Sequence, residues 1–211
     1  MTGALTFTAC SVVAEEAKSG VVDQHALVIL DRAVSFLAKQ KQFSATVEIW
    51  QDFVLENDME IQFAKTVKLN FRRPDHFRAT VTTTQPERTF IYNGKTVTLV
   101  DQSSGFFGTT AAPATIDKTL SKMEQTYGLT FPLDDLLMSN PYDGSADKAQ
   151  TGQYLGAEMI MGKRFHHLAF QHEHLDWQAW VEYGPVPVLR KLIMTQKLEP
   201  GSPQYMALFS T

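Results

Sequence analysis

Every second residue from Ile61 reads Ile61, Phe63, Lys65, Val67, Leu69, Phe71, Arg73, an apolar stripe with one cation inside it and another at its end. A period of two puts those side chains on one face of a strand, so the pattern predicts a half-buried strand whose greasy face needs a partner. The same period starts at Phe43, where Ala45, Val47 and Ile49 alternate with Ser44, Thr46 and Glu48, and Glu56-Asn57-Asp58 turns the chain before the stripe begins. Lys65 interrupts an otherwise regular strand. A second turn falls at Arg73-Pro74-Asp75, because proline lacks a ladder donor and restricts the residue before it. Phe77-Ala79-Val81 and Thr89 to Tyr92 continue the alternation, Asn93-Gly94 is a strong hairpin signal, and Thr96 to Asp101 is the returning strand. A turn at Gln102 to Gly105 leads into a short strand at Phe106-Phe107.

Helical spacing replaces this rhythm in two places. Val22 to Lys39 carries Leu27, Leu30, Val34 and Leu37 on one side, with Asp23 as N-cap. Ala114 to Tyr127 carries Ile116, Leu120 and Met123 and stops at Gly128, and Pro132 to Met138 reads as a second short helix opened by its proline. After a loop at Asn140 to Ser145 the strands resume over Thr151 to Met161, Arg164 to Glu173, Asp176 to Tyr183, Val188 to Lys197 and Gln204 to Phe209. Short connections between sequential strands imply antiparallel neighbours, giving an α+β fold with a curved antiparallel sheet of about 10–11 strands. The helices are the available cover for its concave, apolar face, either as core or as the lid of a cavity.

At 211 residues and 44% hydrophobic content the chain buries a full core, and one domain over residues 21–211 is expected behind a leader or disordered segment at 1–20. A net charge of −4 with interspersed signs gives no basic stripe, which argues against nucleic acid. The start, MTGALTFTACSVVAEEA, reads as the end of a secretory signal without its basic first part. Cys10 is the only cysteine, so no intramolecular disulfide forms. Thr8-Ala9-Cys10 loosely resembles a bacterial lipidation box, although Phe7 stands where an aliphatic residue is usual; the alternatives are a membrane anchor through Cys10 and an incidental cysteine in a removed leader. Gly-x-Ser-x-Gly, Walker and Gly-x-Gly-x-x-Gly patterns are all missing from the sequence, so neither an enzyme nor a cofactor is expected.

Leu69-Asn70-Phe71-Arg72-Arg73-Pro74-Asp75-His76-Phe77, Thr84-Gln85-Pro86-Glu87 and Asn93-Gly94-Lys95-Thr96 resemble the outer-membrane lipoprotein carrier proteins of bacteria, the LolA/LolB-like proteins. Arg164-Phe165-His166-His167-Leu168-Ala169-Phe170, Asp176-Trp177-Gln178-Ala179-Trp180 and Pro187-Val188-Leu189-Arg190-Lys191-Leu192 resemble a more specific family of predicted periplasmic proteins, from which no activity carries over. The resemblance implies a lipoprotein-carrier-like half-barrel with a helical lid and a pocket for acyl chains. It also implies that Arg73, at the carriers' Arg-Pro position, bonds to the lid and holds it shut. Strand parity points Arg73 to the same side as Leu69 and Phe71.

The expected function is a periplasmic or envelope protein holding an acyl chain, lipid or lipidated partner, close to a membrane and with its oligomeric state open. The alternative is a protein-interaction or envelope-stress-sensing domain of the same fold with a filled core. Candidate ligand contacts are Phe63, Val67, Leu69, Phe71, Arg73, Phe77, Leu120, Met123, Leu136 and Trp177, each of which also reads as ordinary core. Lid carbonyls or Asp134 and Asp135 are the expected partners of Arg73. His166, His172 and His174 share one strand face and His167 takes the other, a spacing that suits hydrogen-bonded strand histidines, so no metal is assigned.

Overall fold

The computed structural model describes residues 21–83, 87–129, 137–139, 149–160 and 162–210. The leader with Cys10, most of the short Pro132 to Met138 segment and the Asn140 to Ser145 loop lie outside the described residues.

Strands β1 (Gln42–Val54), β2 (Glu60–Arg72), β3 (His76–Thr82), β4 (Arg88–Tyr92), β5 (Thr96–Asp101) and β6 (Phe106–Ala111) form one run of hairpins. Strands β7 (Thr151–Ile160), β8 (Lys163–Gln171), β9 (Leu175–Glu182), β10 (Leu189–Gln196) and β11 (Gln204–Ser210) form another. The two runs join where the first and last strands pair, Val47 opposite Phe209 and Ile49 opposite Ala207. The result is a single open sheet in the order β6-β5-β4-β3-β2-β1-β11-β10-β9-β8-β7, with antiparallel pairing throughout and β6 and β7 as its edges. Eleven strands agree with the sequence expectation. The strand at Phe106 runs longer than its sequence suggested, because β6 pairs with the whole of β5.

Turn chemistry fixes the hairpins. Asn93 accepts the amides of Lys95 and Thr96 on its side-chain oxygen, at 3.1 and 2.9 Å, and Gly94 takes φ 83°, a left-handed conformation that glycine tolerates. The β1–β2 turn closes through the Leu55 amide donating to the Met59 carbonyl at 3.0 Å.

Helix α1 (Gln24–Ala38) begins two residues later than its periodicity implied. Val22 is drawn into a parallel bridge with Gly152, and the Asp23 carboxylate caps the His25 amide at 2.8 Å. The apolar stripe Ala26, Ile29, Leu30 and Ala33 buries against Leu168, Phe170, Ala179 and Val181 of β8 and β9. Helix α2 (Ile116–Tyr127), capped by Thr115 and ended by Gly128 at φ 63°, buries Ile116, Leu120 and Met123 against Leu69, Phe71, Phe77, Tyr92 and Val97. Both helices therefore lie on the same face of the sheet, one over each half. None of the described helices is long and apolar enough to cross a membrane.

The opposite face is not uniformly wet. His167 bridges Glu158 at 2.7 Å and Gln178 at 3.0 Å through its two ring nitrogens and stacks on Trp180 at 4.1 Å. The Trp180 indole N–H donates to Glu158 at 2.9 Å and the Lys191 ammonium sits over its ring. This network accounts for His167 and Trp180 as structural groups of the outer face.

Candidate functional site

The strands between the two helix-capped halves carry a row of facing residues that the register makes explicit. Phe63 lies opposite Gln51, Gln51 opposite Tyr205, Tyr205 opposite Met194, and Met194 opposite Trp177. The next row inward runs Lys65, Ile49, Ala207, Leu192, Ala179, Leu168. Because Ala179 and Leu168 pack under α1, and Leu69 and Phe71 further along β2 pack under α2, both rows belong to the helix-covered face. Between the two packed halves Val47, Ile49 and Ala207 form a third buried cluster, bordered by Val67, Tyr205 and Phe209.

Beyond this cluster, at the β1–β2 hairpin, the same face is apolar and open. Phe63 is 55% exposed and Phe53 44% exposed, with their rings edge to face at 5.5 Å. Leu55 and Met59 follow at the same hairpin, also exposed. Clustered exposed hydrophobic side chains of this kind mark a binding surface more often than a solvated one. Tyr205 and Lys65 stand beside the buried cluster, both partly buried.

The ten residues singled out from sequence separate into distinct places. Val67, Leu69, Phe71, Phe77, Leu120 and Met123 come together, yet as a packed core: Leu120 is 1% and Phe71 3% exposed. Phe63 lies exposed beside Phe53 near the β1–β2 hairpin. Trp177 stacks on Phe170 at 4.3 Å beneath α1, donates its N–H to His172 at 3.1 Å, and meets Phe63 only through the shared row. Leu136, Asp134 and Asp135 lie outside the described residues. Tyr205 and Gln51 were missed, since nothing local in the last strand tells that it pairs with the first. Lys65 was visible as a break in the stripe.

Arg73 reaches across to residues 137–139. Its guanidinium lies 4.9 Å from the centre of the Phe71 ring and donates through Nη1 to the Leu137 carbonyl at 2.8 Å. The Ser139 amide donates to Asp117 of α2 at 3.1 Å, so residues 137–139 are gripped from both sides. Burial pulls the Arg73 pKa down while Asp117 pushes it up, and Nε and Nη2 are buried without partners among the described residues. Arg73→Met is expected to raise amide exchange at Ser139 about tenfold or more, the worth of a hydrogen bond to a charged group. Hydrogen exchange read by mass spectrometry checks this, and unchanged protection sinks the clamp.

Among the described residues no three His, Cys, Asp or Glu side chains cluster as a metal site. His166 touches the Tyr154 hydroxyl at 3.2 Å and stacks on Tyr183. Its pKa is lowered by burial, then by His25, Arg32 and Arg164. A recess on the outer face is lined by Ser44, Asn70, Arg72, His76, Arg78 and Ile91.

A family model described as predicted periplasmic protein (DUF2092) matches residues 26–211. Among solved structures, the Mycobacterium tuberculosis lipoprotein LppX aligns at 10% identity and TM-score 0.55, covering 89% of this chain and 94% of that one. LprF from Mycobacterium bovis aligns at 13% identity and TM-score 0.55, covering 91% and 94%. A LolA superfamily protein from Nitrosomonas europaea aligns at 15% identity over 88% and 91%, with a lower TM-score of 0.36. At such identities the likeness is one of fold, and it rests on the first two. No curated protein matches the chain.

Proposed function

The chain belongs to the DUF2092 family of predicted periplasmic proteins, and on that premise we propose that it is an envelope protein that takes up an apolar chain, from a lipid or a lipidated partner, in a trough between its helix-capped halves. The observation that carries this reading is the open aromatic end of the trough, where Phe53 and Phe63 stay exposed on the very face that both helices otherwise cover. Burying that surface under an alkyl chain supplies affinity at roughly 25 cal/mol per Å², with little discrimination of its own. A structural neighbour that is itself a lipoprotein supports an envelope setting for the fold. Arg73 acts as the clamp that orders residues 137–139 beside α2.

A second reading has its own support. The halves under α1 and α2 are filled, which suits a protein-interaction domain whose inner face is simply core.

The neutral fluorescent amine N-phenyl-1-naphthylamine tests the first reading. It is expected to bind the purified protein, and Phe63→Glu or Met194→Glu should weaken it at least about tenfold, since a carboxylate opposes burial of the probe. Phe63 is already half-exposed, so a charge there does not break the core. No probe binding, together with no lipid retained in native mass spectra, would favour the second reading.

A further inference from the structure

Two polar groups in the trough lack what their burial demands. Lys65 donates from Nζ to Gln51 at 3.5 Å, the long limit of a hydrogen bond, and lies 6.0 Å from the centre of the Tyr205 ring. Among the described residues no carboxylate pairs with it. The Tyr205 hydroxyl is buried with no hydrogen-bond partner among the described residues. Burial alone lowers the Lys65 pKa and raises that of Tyr205, as expected of a cation without a counter-ion and a phenol without an acceptor. An uncompensated ammonium and an orphan hydroxyl in an apolar trough are costly unless something supplies both missing partners.

We propose that the trough's occupant carries an anionic oxygen head, a carboxylate or a phosphate, held by the Lys65 ammonium and the Tyr205 hydroxyl. A carboxylate or phosphate offers acceptor oxygens for both donors, and its charge answers that of Lys65. The neighbouring row Phe63, Gln51, Tyr205, Met194 is mostly apolar, so the ligand class is a single-chain anionic amphiphile: a fatty acid or an alkyl phosphate. This deepens the lipid-binding reading and rests on it. The anchor also separates charge from grease, because Phe53 and Phe63 at the open end have no role in reading the head.

Equilibrium dialysis of the full chain with laurate, dodecyl phosphate and 1-dodecanol tests the anchor with one alkyl length and three heads. At least one anion is expected to bind about tenfold tighter than dodecanol. In Lys65→Met and in Tyr205→Phe that advantage falls to about threefold or less, the anions losing more affinity than dodecanol. Both substitutions keep the side-chain volume, and a preserved urea midpoint shows that the fold survives them. Anions that bind no tighter than dodecanol, or an advantage that outlasts both substitutions, overturn the anchor and leave the lipid-binding reading standing; Lys65 then reaches water past Phe63. If none of the three compounds binds, the lipid-binding reading itself fails. The better of the two anions tells carboxylate from phosphate.

Discussion

Leu120→Ala is expected to cost about 2–5 kcal/mol of unfolding free energy, read as a lower urea midpoint at an unchanged slope. Leu120 is 1% exposed and sits between Ile116 and Met123 on the α2 face that meets β2, β3, β4 and β5. Truncation removes the transfer energy of the lost carbons and leaves a cavity whose walls resist collapse. Leu69, Phe71 and Phe77 are fixed by the β2–β3 ladder, with Phe71 opposite Phe77. The helix cannot settle inward either, because it is tied at its start and along its first two turns. The Ile116 amide donates to the Pro74 carbonyl at 2.8 Å, Lys122 donates to the Ala111 carbonyl at 2.7 Å, and Thr119 and Tyr92 both donate to the Pro113 carbonyl. A lid resting over empty space would behave differently. Its apolar residues would already lack neighbours, so a loss below about 1 kcal/mol, with N-phenyl-1-naphthylamine binding strengthened, would return α2 to the role of a movable cover. The expected large loss instead assigns α2 to the core and leaves ligand binding to the trough.

The hairpins were legible because each is punctuated where its chemistry demands it: Asn93-Gly94, Arg73-Pro74 and Glu56-Asn57-Asp58 all turn the chain in the structure. The side to which Arg73 points was also legible, since strand parity is a local property and β2 runs from Glu60 to Arg72 without a register shift against β1. The candidate site was less so. The strip that joins the two halves exists because β1 pairs with β11, strands at opposite ends of the chain, and no turn signal announces such a contact. Without it Tyr205 is one aromatic in a terminal strand, and Lys65 an oddity in a stripe. Phe63 and Trp177 illustrate the same gap, for they share a cross-sheet row while one is half-exposed and the other is stacked on Phe170. Burial within the apolar stripe was equally hidden. Leu69 and Phe71 fall beneath α2 and Phe63 does not, a division set by where the helix lands rather than by anything in the alternation.

Gly152→Ala is expected to destabilise the protein by about 1–3 kcal/mol, whereas Gly108→Ala on edge strand β6 should stay within about 0.5 kcal/mol. A methyl at Gly152 would stand 2.8 Å from Cδ1 of Phe170 and 2.8 Å from Cγ1 of Val22, while one at Gly108 meets nothing within 4 Å. Neither neighbour of Gly152 can yield cheaply. Phe170 is 2% exposed and stacked on Trp177 at an interplanar angle of 16°, so turning its ring pushes Trp177. Val22 is held by the segment that starts α1, where the Asp23 amide donates to the Gly152 carbonyl at 2.8 Å and the Tyr154 amide donates to Asp23 at 3.3 Å. Relief therefore requires α1 to lift from β7 or the Phe170–Trp177 stack to shift along the row toward Met194 and Tyr205. The second path reaches the trough, so near-ultraviolet circular dichroism of the tryptophans should change and N-phenyl-1-naphthylamine affinity should fall alongside stability. Equal urea midpoints for Gly152→Ala and Gly108→Ala would show that α1 does not dock on β7 in this manner. A destabilised protein with unaltered tryptophan spectra and probe affinity would place the strain in α1 alone and uncouple the helix from the trough.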